Sequence, residues 1–196
     1  MAEIILSRCE SHASYNVSQG HHEAITRSPC RLLYHIIQMT SLMTLTSSTD
    51  ISMIIPGLYI SNLETANNIK LLDALKITKI ITLAYPFSKR QAYPKKYMIL
   101  QIPVYDLPGA PIESYFDITE KFIKTSLRRN HRVLVHCHMG MSRSSTIVAN
   151  FLMKFMDWTP SMTIAFIKKR RPIVDPNRGF RRKLNIEYDR WKRSKS

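Results

Sequence analysis

No stretch of this 196-residue chain approaches the roughly 18 consecutive apolar residues that a membrane span requires. Cysteine is scarce as well. Cys9, Cys30 and Cys137 cannot all pair, and they do not form the clustered thiols of a structural zinc site. A disulfide scaffold is therefore not the source of the fold, and a reducing compartment is expected. The first residues lack the basic lead and clean apolar core of a secretory signal, and Glu3, Glu10 and Glu23 run against a mitochondrial presequence. Acidic residues are few, 14 against 29 Lys and Arg, which leaves a net charge of +15. That shortage is uneven. Residues 1–50 hold three Arg and four acidic residues, while the remainder carries 26 basic and 10 acidic residues, a net of +16. No internal repeat is visible, and an apolar content of 44% is enough for one packed domain.

The chain divides near residue 50. Residues 1–50 are rich in Ser, Thr, His and Met, show no apolar period before Leu32, and read as a largely disordered tail. Within it, residues 31–45 have the pattern for an amphipathic turn or two. Residues 51–196 read as the folded domain, with a basic C-terminal end. Strands are predicted at Leu58–Ser61, 79–83, 98–104 and 132–135, the last a continuous apolar run suited to a buried central strand. Helices are predicted at 65–75, 111–127, 144–156, 160–169 and 178–191. Pro111 stands in the first turn of one, and Thr159 precedes Pro160 as an N-cap of another. The expected fold is α/β, a central mixed, mostly parallel sheet flanked by helices. Ligands bind such sheets at the carboxyl ends of the strands.

The most informative segment is Val133-Leu134-Val135-His136-Cys137-His138-Met139-Gly140-Met141-Ser142-Arg143-Ser144-Ser145. It reads as a strand, a tight loop and a helix N-terminus, with a thiol where the loop begins. Backbone N–H groups and the positive end of a helix dipole converge on such a loop, which makes it an anion site. A helix N-terminus favours the thiolate form of a cysteine. Cys137 is then placed to attack phosphorus. The planar fork of Arg143 matches two phosphate oxygens, which a lysine cannot do. Gly140 permits a backbone conformation that a Cβ opposes. Ser142 and Ser144 can donate within the loop, with Ser144 assigned to the Cys137 sulfur as it leaves in the second step. His136 is expected to orient the loop. Two blander readings compete: a cysteine beside a buried strand is usually a small core residue, and His-Cys-His suggests a metal. Adjacent strand residues point to opposite faces, so His136, Cys137 and His138 make a poor chelate, and no metal or other cofactor is expected.

His136-Cys137-x-x-Gly140-x-Ser142-Arg143-Ser144 resembles the active-site loop of the cysteine-dependent protein tyrosine phosphatases, and most of all that of the small, atypical dual-specificity phosphatases. The likeness covers about residues 51 to 190. Pro56-Gly57-Leu58-Tyr59-Ile60-Ser61 is similar to that family's first strand. Ile102-Pro103-Val104-Tyr105-Asp106, followed by Ala110 to Phe116, is similar to its general-acid segment and the helix after it. Arg170-Arg171-Pro172 and Pro176-Asn177-Arg178-Gly179-Phe180 resemble its last connecting loop. The resemblance implies Cys137 as nucleophile, Arg143 with the backbone of His138, Met139, Gly140, Met141 and Ser142 as the phosphoryl-binding set, Asp106 as general acid, and Asn177 as a support for the loop. From position alone, an Asp before Leu-Pro-Gly is an ordinary turn residue. Arg171 has two readings, a rim contact to a second phosphate or acidic substrate, and a solvated basic helix end. His138 either tunes the Cys137 thiolate or contacts the substrate, or its side chain simply faces solvent at the pocket rim.

The implied activity is a phosphatase acting on phosphotyrosine and phosphoserine/threonine through a cysteinyl-phosphate intermediate. Its partners are phosphorylated proteins, with mitogen-activated protein kinases among the substrates of related enzymes. An RNA 5′-phosphatase is the alternative that the basic C-terminal third keeps open, since clefts of one sign draw oppositely charged ligands. A catalytically idle phosphoprotein-binding module is the third reading. No lysine lies between Cys137 and Arg143, which runs against a phosphoinositide substrate. The expected location is cytoplasmic, and the basic runs at 168–171, 178–183 and 190–195 admit the nucleus.

Overall fold

The computed structural model describes residues 50–86 and 93–195. Residues 1–49 of the expected tail, with the amphipathic turn at 31–45, Cys9 and Cys30, lie outside the described residues. The elements run β1 (Ile51–Ile55), β2 (Leu58–Ser61), α1 (Leu63–Ala66), α2 (Ile69–Ala74), β3 (Ile77–Thr82), β4 (Met98–Gln101), a 3₁₀ turn (Ile112–Tyr115), α3 (Phe116–Arg128), β5 (Arg132–His136), α4 (Arg143–Met156), α5 (Pro160–Arg170) and α6 (Arg178–Arg193). The five strands form one sheet in the order β1-β2-β5-β3-β4. β2, β5, β3 and β4 are parallel and β1 is antiparallel, the mixed and mostly parallel sheet that the sequence predicts.

Several boundaries differ, each for a local reason. β1 was not expected; Gly57, at φ +82°, makes the tight reversal that folds Ile51–Ile55 back on β2. The helix expected at 65–75 is two short ones. Asn62 caps the first by accepting from the Thr65 N–H, and Asn68 caps the second by accepting from the Leu71 N–H, so the chain restarts rather than continues. β4 stops at Gln101, short of residue 104: Ile102 still donates to the Thr82 carbonyl, but the next inward donor, the Val104 N–H, turns back to the Ile102 carbonyl. Residues 111–127 open as a 3₁₀ turn before the α-helix.

The central row of the sheet shows why the core forms. Tyr59, Leu134 and Ile80 lie side by side across β2, β5 and β3, and with Ala66, Leu72 and Ile77 they close one face of the sheet. Val133 and Val135 have the opposite parity and face the other layer, where α3 and α4 pack on β5. All three β5 residues are fully buried, and each such side chain contributes about 1.5–3 kcal/mol. α4 is central to that second layer, against α3, α5 and α6. Its Lys154 reaches Glu120 of α3 at 2.9 Å and Glu187 of α6 at 2.8 Å. Burial draws the Lys154 pKa down, but the two carboxylates outweigh it and hold the pKa above the ordinary lysine value. No helix among the described residues is long and apolar enough to cross a membrane. The geometry of β5 and α4 leaves residues 137–142 at the carboxyl edge of the sheet.

Candidate active site

β5 ends between Ser61 of β2 and Thr82 of β3, both paired with His136. Cys137 follows at once and is buried. Its Sγ accepts from the Gly140 N–H at 3.2 Å, and Ser144 Oγ lies 3.3 Å away. Gly140 makes the turn possible in two ways. Its φ of +65° is left-handed, and a Cβ there would stand 2.5 Å from the Ser61 carbonyl oxygen and from Arg171 Nη2. No other residue fits that loop without displacing a strand.

Arg143 is the first residue of α4 and is buried. Its Nη1 donates to the carbonyls of Leu83 at 2.7 Å, Val104 at 3.3 Å and Tyr85 at 3.4 Å, which anchor the guanidinium to the ends of two neighbouring segments. Its Nε is buried without a hydrogen-bond partner, and the nearest carboxylate oxygen, Asp106 Oδ2, is 3.8 Å away. A buried donor left spare costs about 1–3 kcal/mol, so its retention points to an anion that completes it.

Asp106 stands on the loop after β4. Its Oδ1 accepts from Ser142 Oγ at 2.7 Å and from Asn177 Nδ2 at 2.8 Å. Ser142 occupies the N-cap of α4 yet makes no capping bond, because its hydroxyl is committed to Asp106. That hydroxyl also accepts from the Asn177 N–H at 3.2 Å, and Asn177 in turn caps α6 by accepting from the Phe180 N–H. Asp106, Ser142 and Asn177 therefore lock three loops together. Gly179 completes the closure, since a Cβ there would overlap the Pro108 carbonyl.

The far side of the loop corrects one expectation. Arg171 contacts no rim and no solvent: it is buried behind the loop. Its Nε donates to the Gly140 carbonyl at 2.7 Å, its Nη2 donates to the Met139 carbonyl at 3.1 Å, and its Nη1 pairs with Asp50 at 2.6 Å. Neither a substrate contact nor a solvated helix end describes it. It braces the backbone whose other face holds Cys137. The reason is geometric: Arg171 is the C-cap just after α5, where the backbone leaves the helix, and its side chain reaches the carbonyls of residues 139 and 140. His136 is fully buried, with Nε2 3.2 Å from the Tyr93 hydroxyl. Burial pushes its pKa down to about 3, which leaves it neutral and removes it as a base or counter-charge near neutral pH. His138, Met139 and Met141 are exposed, and His138 contributes its carbonyl to the Leu63 N–H.

The sequence reading missed Asp50, which it assigned to the tail, and Tyr93, which binds His136. Asp50 is separated from Arg171 by 121 positions and offers no local signal. Ser145 and Thr146 had one, a hydroxyl run in the first turn of α4. Both donate to the Ser142 carbonyl at 2.8 Å and tighten the loop's exit.

The family model described as the dual specificity phosphatase catalytic domain matches residues 58–190. MAP kinase phosphatase with leucine-rich repeats protein 3 of Dictyostelium discoideum is 38% identical over 156 residues, which is 78% of this chain and 17% of that protein. Dual specificity protein phosphatase 1 of Arabidopsis thaliana is 38% identical over 133 residues, 68% of this chain and 66% of that one. This chain thus spans less than two thirds of the length of either relative. Among solved structures, that of DUSP15 superposes with a TM-score of 0.69 at 31% identity, covering 75% of this chain and 95% of that one. With the loop, the carboxylate and the sheet already in place, the match makes the assignment plain: this chain belongs to the dual specificity phosphatases, within the cysteine-based protein tyrosine phosphatase superfamily.

Proposed function

We propose that this chain hydrolyses phosphate monoesters on proteins, at phosphotyrosine and at phosphoserine or phosphothreonine, through a cysteinyl-phosphate intermediate. The observation that carries the reading is Cys137 Sγ at the end of the central strand, held by the Gly140 N–H and Ser144 Oγ, beneath a buried Arg143 whose Nε is unspent.

The steps follow from the positions. Arg143 Nε takes one phosphoryl oxygen and orients the group over the sulfur. Cys137 Sγ attacks phosphorus, a sulfur–phosphorus bond forms, and the ester oxygen–phosphorus bond breaks. The leaving oxygen needs a proton. Ser142 and Asn177 both donate to Asp106 Oδ1, which leaves Oδ2, the oxygen on the Arg143 side, as the one to deliver it. Transfer from Oδ2 completes the first step, an assistance typically of 10²–10⁴ in rate. In the second step Asp106, now ionised, accepts a proton from water as that water attacks phosphorus. The sulfur–phosphorus bond breaks, inorganic phosphate leaves, and Ser144 donates to the departing sulfur. Loop amides and Arg143 hold charge that is spread over the equatorial oxygens throughout.

Mitogen-activated protein kinases enter as candidate substrates because a relative bears that designation, and a reducing compartment such as the cytoplasm suits a free catalytic thiol. The test is hydrolysis of a small aryl phosphate between pH 5 and 8, in reductant and EDTA, for the wild type and Cys137→Ser. Expected are turnover that survives EDTA, loss of turnover in the variant, and acid-stable phosphate on Cys137 after a rapid quench. A wild type that binds phosphopeptides and releases no phosphate overturns the catalytic reading.

A further inference from the structure

Nine large apolar side chains are exposed among the described residues. Isolated ones need no explanation, but these are not scattered. Tyr105, Leu107, Met139, Met141 and Ile173 are five of the nine, and they fall on only three short loops. The first two flank Asp106, the next two lie inside the loop that begins at Cys137, and Ile173 lies in the connection between α5 and α6. Leu107 and Met139 are more than half exposed, at 59% and 63%.

The three loops share one place. Asp106 is bound to Ser142 and Asn177, the Asp175 N–H donates to the Met141 carbonyl at 3.0 Å, and Arg171 holds the carbonyls of Met139 and Gly140. Apolar surface is thus presented on a frame already rigid before anything binds, which lowers the ordering cost of recognition. Exposed apolar groups gathered at the mouth of a site mark a contact surface.

What occupies it follows from the site itself. A phosphorylated residue that delivers its phosphorus to the buried Cys137 sulfur brings its own chain neighbours onto those loops. We propose that Tyr105, Leu107, Met139, Met141 and Ile173 form a specificity rim that selects phosphoprotein segments with apolar side chains immediately beside the phosphorylated residue. The proposal rests on the phosphatase reading and names its substrate class. A lipid headgroup is the competing occupant of an apolar mouth. The loop disfavours it, because residues 138–142 are His, Met, Gly, Met and Ser and supply no Lys or Arg for further phosphates.

The experiment uses the full chain and phosphotyrosine peptides of one length and charge, with Leu or with Ser on both sides of the phosphorylated residue. The wild type should turn over the Leu-flanked peptide about ten-fold better in kcat/KM, the scale of partial apolar burial at a rim. In Leu107→Ser and in Ile173→Ser that ratio should fall to about three-fold or less. A ratio taken within one variant cancels any loss of active protein. The same pair is bound to Cys137→Ser by fluorescence anisotropy, where the Leu-flanked peptide should be held several-fold more tightly. Failure to hydrolyse an aryl phosphate defeats the catalytic reading alone, since the binding ratio still reports on the rim. Equal handling of the two peptides, a preference untouched by both substitutions, or faster release of phosphate from phosphoinositide vesicles than from either peptide overturns the rim.

Discussion

The loop between β5 and α4 has two sides, and they treat charge in opposite ways. On the rear side, Arg171 is buried and fully engaged, with two loop carbonyls and the Asp50 carboxylate around it. On the front side, Arg143 is just as deeply buried, yet its Nε is unspent and its nearest carboxylate lies beyond hydrogen-bond reach. A buried charge without a complete set of partners is costly. The rear arginine has the structure's own groups as its permanent complement. The front arginine keeps a donor that the fold itself does not complete. Both arginines are buried; the partner inventory is what separates the fully engaged side chain from the one with a spare donor.

The sharpest way to break the comparison is on the front. Arg143→Lys keeps the charge but loses the fork, and kcat/KM for an aryl phosphate should fall roughly 10³-fold. A drop under ten-fold would mean that Nε does not meet the phosphoryl group. Asp106→Asn comes next. It should lower kcat on phosphopeptides about 10²-fold and remove the fall of kcat at high pH that an essential protonated acid causes, with a smaller loss on an aryl phosphate whose leaving group needs less protonation. An unaltered pH profile would remove Asp106 from the proton transfer.

Beneath the loop, His136 sharpens the contrast through stability. Its folded pKa is about 3, and an unfolded histidine titrates near 6.5. As pH falls below 6.5 the unfolded chain takes up a proton that the folded one refuses, so stability declines with pH, by up to about 1.4 kcal/mol per unit. The urea midpoint should drop between pH 6.5 and 5, and His136→Gln should flatten that decline; an equally steep decline in the variant would assign it elsewhere. The smallest effect belongs to the rear. Asp50 is partly exposed, so Asp50→Asn should cost about 1–2 kcal/mol in urea unfolding while leaving the pH profile of kcat in place. A displaced profile would show that the brace also tunes the chemistry.

Much of the front was legible in the sequence because its residues are local. Cys137, Gly140, Ser142, Arg143 and Ser144 fall within eight positions, and a strand-to-helix turn leaves them few arrangements. The α/β alternation was legible for the same reason, since the apolar run 133–135 and the stripes of α3 and α4 are each read within one element. The rear was illegible. Arg171 sits in a basic run where solvation is the ordinary expectation, and its partners at 50, 139 and 140 come together only by packing. Short-range chemistry also misled: two asparagines split a helix that the apolar spacing had made continuous, and β1 has no partner until Gly57 folds it back. The bond from Ser142 to Asp106 crosses 36 positions and needed the fold to be seen.

The Asp50–Arg171 pair has a practical consequence for where this domain begins. The family model covers residues 58–190, and a chain trimmed to that span would start at the first residue of β2, beyond the hairpin turn. It would discard the outermost strand and expose the edge of β2 as an open template for pairing with other chains. It would also strip Arg171 of its counter-ion while leaving Asp106, Cys137, Arg143 and Ser144 in place. The span that the family model matches and the span that holds β1 and the counter-ion of Arg171 are different lengths of the same chain, and the longer one starts no later than residue 50.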